Sequence, residues 1–302
     1  MKSFKELLND YTKNSSYRKI SEEELISLKK CVLDIYIRVA DLCERYNLTI
    51  MLGGGSVLGA VRHKGFIPWD DDMDLNMFRE DYNKLLKLCE EGALGKDYEY
   101  TFPSKKHDAP NAFLKIYRKD SKIVGYRGEL SHYPMGVSID VFPIEYAPTN
   151  AFVRKCKGVV ANGIRLIANL SRESEELKTL KDSLPYNSKL FWYVSARYLL
   201  GRSFTFVSHK RWVLLFDTFV QRSKISKLVV APTGRKLYNG EIYPYEVFYP
   251  VKKGVFEGLS VNLPSNTDYY LKNMFGDYMK IPPIEKRESH MIKELHLPAG
   301  YM

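Results

Sequence analysis

Four aspartates stand within the five residues Asp70-Asp71-Asp72-Met73-Asp74, a density of negative charge that a fold holds at a cost unless a cation compensates it. On a strand, residues two apart face the same side, so Asp72 and Asp74 project together while Met73 and Leu75 turn toward the core. Two carboxylates on one face offer hard oxygen ligands to Mg²⁺ or Mn²⁺, cations that keep several waters and share their coordination with substrate phosphates. Upstream, Gly53-Gly54-Gly55-Ser56 lets a phosphate approach backbone N–H groups at the start of a helix. Taken alone, the same glycine run serves equally as a tight strand-to-helix turn. Further along, Ser138-Ile139-Asp140-Val141-Phe142 supplies a third carboxylate, with Ile139 and Val141 facing opposite to Asp140. Arg62 and Lys115 are the basic residues placed to neutralise phosphates, one after the glycine turn and one on a predicted strand, although lone basic residues are usually solvated.

The elements that must position these groups follow from periodicity. Ser21 to Glu24 is a capping box, and apolar residues at Leu25, Leu28, Val32, Ile35, Val39, Leu42 and Tyr46 predict one long amphipathic helix. Leu48 to Leu52 reads as a strand, the glycines break it, and Val57 to Arg62 suits a helix. Met73 to Met77 alternates like a half-buried strand, Tyr82 to Leu94 reads as a helix, and Ala112 to Tyr117 and Gly136 to Phe142 as further strands. This is an α+β chain, divided into a catalytic core over 1–150, a helical region over 151–225 and, over 226–302, an irregular Tyr-, Pro- and Gly-rich layer that closes back on the core.

The chain has 302 residues, a formal charge of +10 and no run of 18 uncharged apolar residues. A signal-peptide-like run is missing from residues 1–20, and the expected location is the cytoplasm. The charge is uneven: residues 151–224 carry 14 Lys and Arg against five Asp and Glu, a net of +9. That localises an anionic partner to the helical region. Its Leu190-to-Val194 and Trp212-to-Phe216 runs, set among Lys189, Arg197, Lys210 and Arg211, suit an interface with anionic lipid, though apolar residues at helical spacing more often build a core. Cys31, Cys43, Cys89 and Cys156 form no C-x-x-C pair and read as reduced core thiols.

The Gly-Ser turn, short helix and Asp-hydrophobe-Asp strand resemble the nucleotidyltransferase fold, a mixed sheet flanked by helices that also wants a carboxylate on a neighbouring strand. More narrowly, GGGSVLGAVRHKGFIPWDDDMDL and SIDVFP resemble the two signature blocks of the LicD and fukutin family. Tyr270-Leu271, Gly276-Asp277-Tyr278 and Pro282-Pro283 resemble its C-terminal pattern, whereas residues 151–224 match no motif. The resemblance implies metal-dependent transfer of a phospho-alcohol, phosphocholine foremost or ribitol or glycerol phosphate, from a CDP-linked donor to a hydroxyl of a surface glycan. It assigns metal binding and catalysis to Asp72, Asp74 and Asp140; the reading of the residues themselves adds Gly54, Gly55, Ser56, Arg62 and Lys115 around the donor. Asp70 and Asp71 are left to orient ligands or bind metal-bound water. An acceptor glycan still on its lipid carrier would explain a peripheral contact of 151–225 with the inner face of the membrane.

Two other functions compete. A true nucleotidyltransferase would use the same three aspartates but release pyrophosphate. A nucleic-acid-binding protein is suggested by the basic region alone, with no recognised motif beside it.

Overall fold

In the computed structural model, residues 17–125, 133–284, 287 and 291–301 are described. The N-terminal stretch in which a leader was sought lies, up to residue 16, outside the described residues. After a short strand β1 (Arg18–Lys19), helix α1 (Glu22–Arg45) begins at the expected capping box, with the Ser21 hydroxyl accepting the Glu24 N–H and the Glu24 side chain accepting the Ser21 N–H. Its Leu28, Val32, Ile35, Val39 and Leu42 stripe is buried. Then follow β2 (Met51–Leu52), α2 (Gly54–His63), β3 (Asp74–Phe78), α3 (Arg79–Glu90), β4 (Tyr98–Thr101), β5 (Leu114–Arg118), β6 (Lys122–Gly125) and β7 (Ser138–Tyr146).

Several boundaries differ from the sequence reading, among them helix α3, which runs over Arg79–Glu90 rather than Tyr82 to Leu94, and strand β2, which keeps only Met51–Leu52. Helix α2 begins at Gly54 rather than Val57, so the glycines are its first turn and not a break ahead of it. Strand β3 begins at Asp74, leaving Asp72 just before the ladder. Strand β7 runs on to Tyr146 through Pro143. Pro143 has no N–H to donate, but the Asp140 N–H is turned toward β3, so the N of residue 143 faces the β5 side, where pairing has already ended at Val141.

The main sheet has the order β2-β3-β7-β5-β4. Only β3 and β7 are parallel within this path; β2, β5 and β4 pair antiparallel. Beyond residue 150 come α4 (Ala151–Ser183), α5 (Lys189–Arg202) and α6 (His209–Val220), then β8 (Leu228–Val230), α7 (Leu237–Gly240), β9 (Ile242–Pro244), a hairpin of β10 (Lys252–Phe256) and β11 (Leu259–Leu263), α8 (Thr267–Phe275) and β12 (Met291–His296). The fold is α+β, with a mixed sheet flanked by helices.

The last quarter is more regular than its Tyr-, Pro- and Gly-rich composition suggests. Strand β8 extends the main sheet from the end of β7, and β12 pairs with both β1 and β6. One hydrophobic core runs from Leu28 to Leu297 and includes Met73, Leu75, Val141, Phe248 and Leu271, so the first and last segments share an interior. The helical segment has smaller cores of its own, one of which packs Ala161, Phe216 and Val220 against Val230 and Tyr238. A buried charge triad fastens this segment to the sheet. The Arg79 Nε donates to Glu145 on β7 at 2.6 Å, and its Nη2 lies 2.9 Å from Asp217 on α6. Among the cysteines, Cys31, Cys43 and Cys89 are buried as expected, but Cys156 is exposed on α4. No described helix is long and apolar enough to cross a membrane.

Candidate active site

Asp74 is the first residue of β3, and its register partner on the parallel strand β7 is Asp140. Lys115 on β5 is the antiparallel partner of Asp140. Side chains level with one another on adjacent strands face the same side. Backbone pairing therefore lines up Asp74, Asp140 and Lys115 from residues as much as 66 positions apart. Lys115 Nζ donates to Asp140 Oδ1 in an ion pair. The Asp140 N–H donates to the Met73 carbonyl at 3.1 Å, which fixes the two strands at the level of the carboxylates.

Met73 and Leu75 are fully buried, so the expected alternation holds although Asp72 precedes the strand. Burial, then the charges of Asp72, Asp140 and Asp70, push the Asp74 carboxyl well above its ordinary range. Asp70, Asp71 and Asp72 also bring one carboxylate oxygen each within 4.8 Å of the others. Asp70, Asp72 and Asp74 line one cavity of about 480 Å³.

The glycines of α2 meet these carboxylates directly. A Cβ on Gly54, where φ is +44°, would stand 2.5 Å from Asp74 Oδ2, and one on Gly55 would stand 3.1 Å from Asp70 Oδ2. Ser56 is buried and faces the strand, its hydroxyl accepting the Asp74 N–H at 3.0 Å. The turn thus makes room for carboxylates as well as for a phosphate. Gly54 and Gly55 line the cavity and Ser56 supports it. Crowded oxygen ligands, a cradle that any Cβ would fill and the lack of a sulfur or imidazole donor among Asp70, Asp72, Asp74 and Asp140 fit a hard divalent cation.

The cavity carries basic residues as well, beside the further acids Glu241 and Asp277. Arg62, Arg235, Lys280 and Arg287 line it. Arg62 donates to the Tyr278 carbonyl at 2.7 Å and to His63 Nε2 at 2.9 Å, so it holds the Gly276-Asp277-Tyr278 turn as a wall of the cavity. Arg287 lies 4.3 Å over the Trp69 ring. Lys115 is not among the lining residues; its charge is directed to Asp140.

Several of these residues carried no role in the sequence reading. Tyr270 accepts the Gly54 N–H at 2.8 Å from a position 216 residues away. Arg235, Lys280 and the buried Asn76 and Thr233 also line the cavity. Trp69 and Tyr270 stood inside the quoted blocks. Arg235 and Lys280 had no signal, because only chain closure brings residues 228–284 to the aspartates.

With this geometry described, similarity to known proteins can be placed on it. Residues 47–151, which hold all three aspartates, match the LicD/FKTN/FKRP nucleotidyltransferase domain. Over 307 aligned residues the chain is 24% identical to the lipopolysaccharide cholinephosphotransferase LicD of Haemophilus influenzae, covering 92% of this chain and 98% of that protein. Shorter matches reach an uncharacterized protein of Rickettsia prowazekii, 28% identical over 35% of this chain and 39% of that one, and one of Caenorhabditis elegans, 31% identical over 33% and 29%. The glycine turn, the Asp-rich strand and the strand of Asp140 therefore all lie within the segment that is similar to the LicD/FKTN/FKRP nucleotidyltransferase domain.

Proposed function

We propose that this protein transfers phosphocholine from a CDP-linked donor to a hydroxyl of a glycan, using Mg²⁺ or Mn²⁺ held by Asp72, Asp74 and Asp140. One observation carries the reading: a single cavity is lined both by the carboxylates of Asp70, Asp72 and Asp74 and by the cations of Arg62, Arg235, Lys280 and Arg287. A diphosphate donor with its cation is complementary to both. The name of the Haemophilus relative supports phosphocholine over ribitol or glycerol phosphate, and lipopolysaccharide as the kind of acceptor.

When bound, the cation would draw charge from the donor's phosphoryl oxygens and offset the charge developing on CMP. The chain's own residues do the rest. Arg62, Arg235, Lys280 and Arg287 hold the diphosphate oxygens and fix the donor's direction. The acceptor oxygen forms its bond to the phosphocholine phosphorus as the bond to the bridging oxygen of CMP breaks. Asp140, held by Lys115, receives the acceptor proton. A lipid-linked acceptor would bring the protein to a membrane surface.

The test is to incubate the protein and Mg²⁺ with CDP-choline, CDP-ribitol, CDP-glycerol or GDP-mannose beside candidate glycans. CMP release with CDP-choline, dependent on the glycan, is the expected result. Pyrophosphate release from a nucleoside triphosphate, with none from the CDP donors, would replace this reading by nucleotidyl transfer.

A further inference from the structure

Helix α4 carries an apolar stripe at helical spacing, Phe152, Cys156, Val159, Gly163 and Leu166, in alternating steps of four and three. Val153, Val160 and Ile167, seven apart, widen it, and no charged residue falls inside the arc. The stripe continues with Leu170, Ser174 and Leu177, and there α5 covers it. The Gly201 backbone lies so close that a Cβ would stand 2.3 Å from the Leu170 carbonyl oxygen and 2.8 Å from Ser174 Cβ. Leu177 packs with Leu190 and Val194 of α5. Ahead of Leu170 it is bare among the described residues: Phe152 is 77% exposed, Val159 60% and Leu166 56%. The bare part, residues 152–167, is about 24 Å long.

The other side of α4 is engaged. Ala161 packs on α6, and Arg165 Nη1 donates to the Pro232 and Gly234 carbonyls of the cavity wall at 3.3 and 2.9 Å. Helix α5 lies on the stripe side of α4, and its far face presents the exposed Trp192 and Leu199 to that same side of the molecule.

Among the described residues of this segment, the acids stand beside basic partners. Glu173, Glu176 and Asp217 are buried, engaged with Arg197, Arg172 and Arg79, and Asp182 sits beside Lys181. Arg197 is therefore spent internally and is not a lipid contact. Lys155 beside the stripe on α4, and Lys189 and Arg202 at the two ends of α5, are exposed.

We propose that the uncovered face of α4, with the outer face of α5, is a docking surface for an anionic lipid bilayer. A charge-free apolar stripe with cationic flanks sinks into the headgroup boundary while the basic side chains meet lipid phosphates. A protein partner would need acids of its own to suit this rim, whereas an anionic bilayer presents them everywhere. Binding of lipid involves neither donor nor acceptor, so it stands apart from the transfer reaction.

The test is co-sedimentation of the full chain with vesicles of phosphatidylcholine alone or mixed with phosphatidylglycerol, beside size-exclusion light scattering of the lipid-free protein. The wild type is expected to pellet with the anionic vesicles and to be released as salt rises to about 0.5 M. Val159→Asp and Leu166→Asp, on exposed positions, should keep the wild-type Tm and lower the bound fraction about tenfold. Lys155→Glu with Lys189→Glu should lower it similarly and flatten the salt dependence. Retention of the wild type in the supernatant at low salt overturns the proposal, as does pelleting that Val159→Asp leaves unchanged. A lipid-free dimer that Val159→Asp converts to monomer would assign the face to a second copy instead.

Discussion

Gly54 and Asp74 are fitted to each other: the carboxylate oxygen of Asp74 occupies the space where a side chain on residue 54 would begin, 2.5 Å from that Cβ position. Gly54 also has φ of +44°, which L side chains rarely adopt. Gly54→Ala should therefore strain the turn and displace the carboxylate, costing about 1–3 kcal/mol of stability. The expected kinetic result is a higher concentration of Mg²⁺ for half-maximal transfer, read from a metal titration. Alanine at Gly258, which has positive φ but open space around its Cβ, controls for backbone strain alone. Equal metal dependence in both variants would refute the cradle.

The crowding of carboxylates gives a pH signature. Asp74 is held above its ordinary value by burial and by Asp72, Asp140 and Asp70. A carboxyl raised in the folded state favours folding while it is protonated and opposes it once ionised. Its burden on the metal-free protein therefore appears as pH rises from the ordinary carboxylate range toward the raised value. In EDTA, the Tm advantage of Asp74→Asn over wild type should grow from about pH 4 to pH 7. Mg²⁺ should raise the Tm of the wild type and not of the variant. Asp72→Asn, Asp74→Asn and Asp140→Asn should each abolish transfer while leaving the fold intact, and full activity in any of them would remove that residue from the cation site.

Tyr270 closes the cavity by accepting the Gly54 N–H at 2.8 Å. Tyr270→Phe removes the acceptor of a partly buried N–H, a loss of about 0.5–1.5 kcal/mol. The loss should come with reduced kcat, since the same N–H belongs to the turn that cradles Asp74. Urea denaturation and CMP release measure the two effects on one sample.

The Arg79, Glu145 and Asp217 triad couples the sheet to the basic helices. Arg79→Leu leaves two buried acids, both pushed upward by burial, without the guanidinium that opposes the shift. A destabilisation of about 3–5 kcal/mol is expected. It should be largest at neutral pH and shrink as the acids are protonated, in urea titrations across pH. Leucine at Arg79 combined with Glu145→Gln and Asp217→Asn should recover much of the loss.

By itself the sequence determined the local parts of the site. Period-two alternation sent Met73 and Leu75 inward and left Asp72 and Asp74 on the cavity side, and the spacing around Ile139 and Val141 set Asp140 on the face of the sheet opposite to theirs, although Asp140 is not among the residues lining the cavity. The α1 capping box and stripe were legible for the same reason: they depend on residues within two turns of one another. Tertiary structure alone decided what depends on distant partners. Register between β3, β7 and β5 levelled Asp74 with Asp140 and turned Lys115 into the partner of Asp140. Chain closure carried Tyr270, Arg235 and Lys280 to the aspartates, and the packing of α5 decided which half of the α4 stripe is core and which half faces outward. The physical reason is common to all three. Periodicity specifies which way a side chain points from its own element, whereas what stands opposite it is set by backbone hydrogen bonds and by burial between segments far apart in the chain.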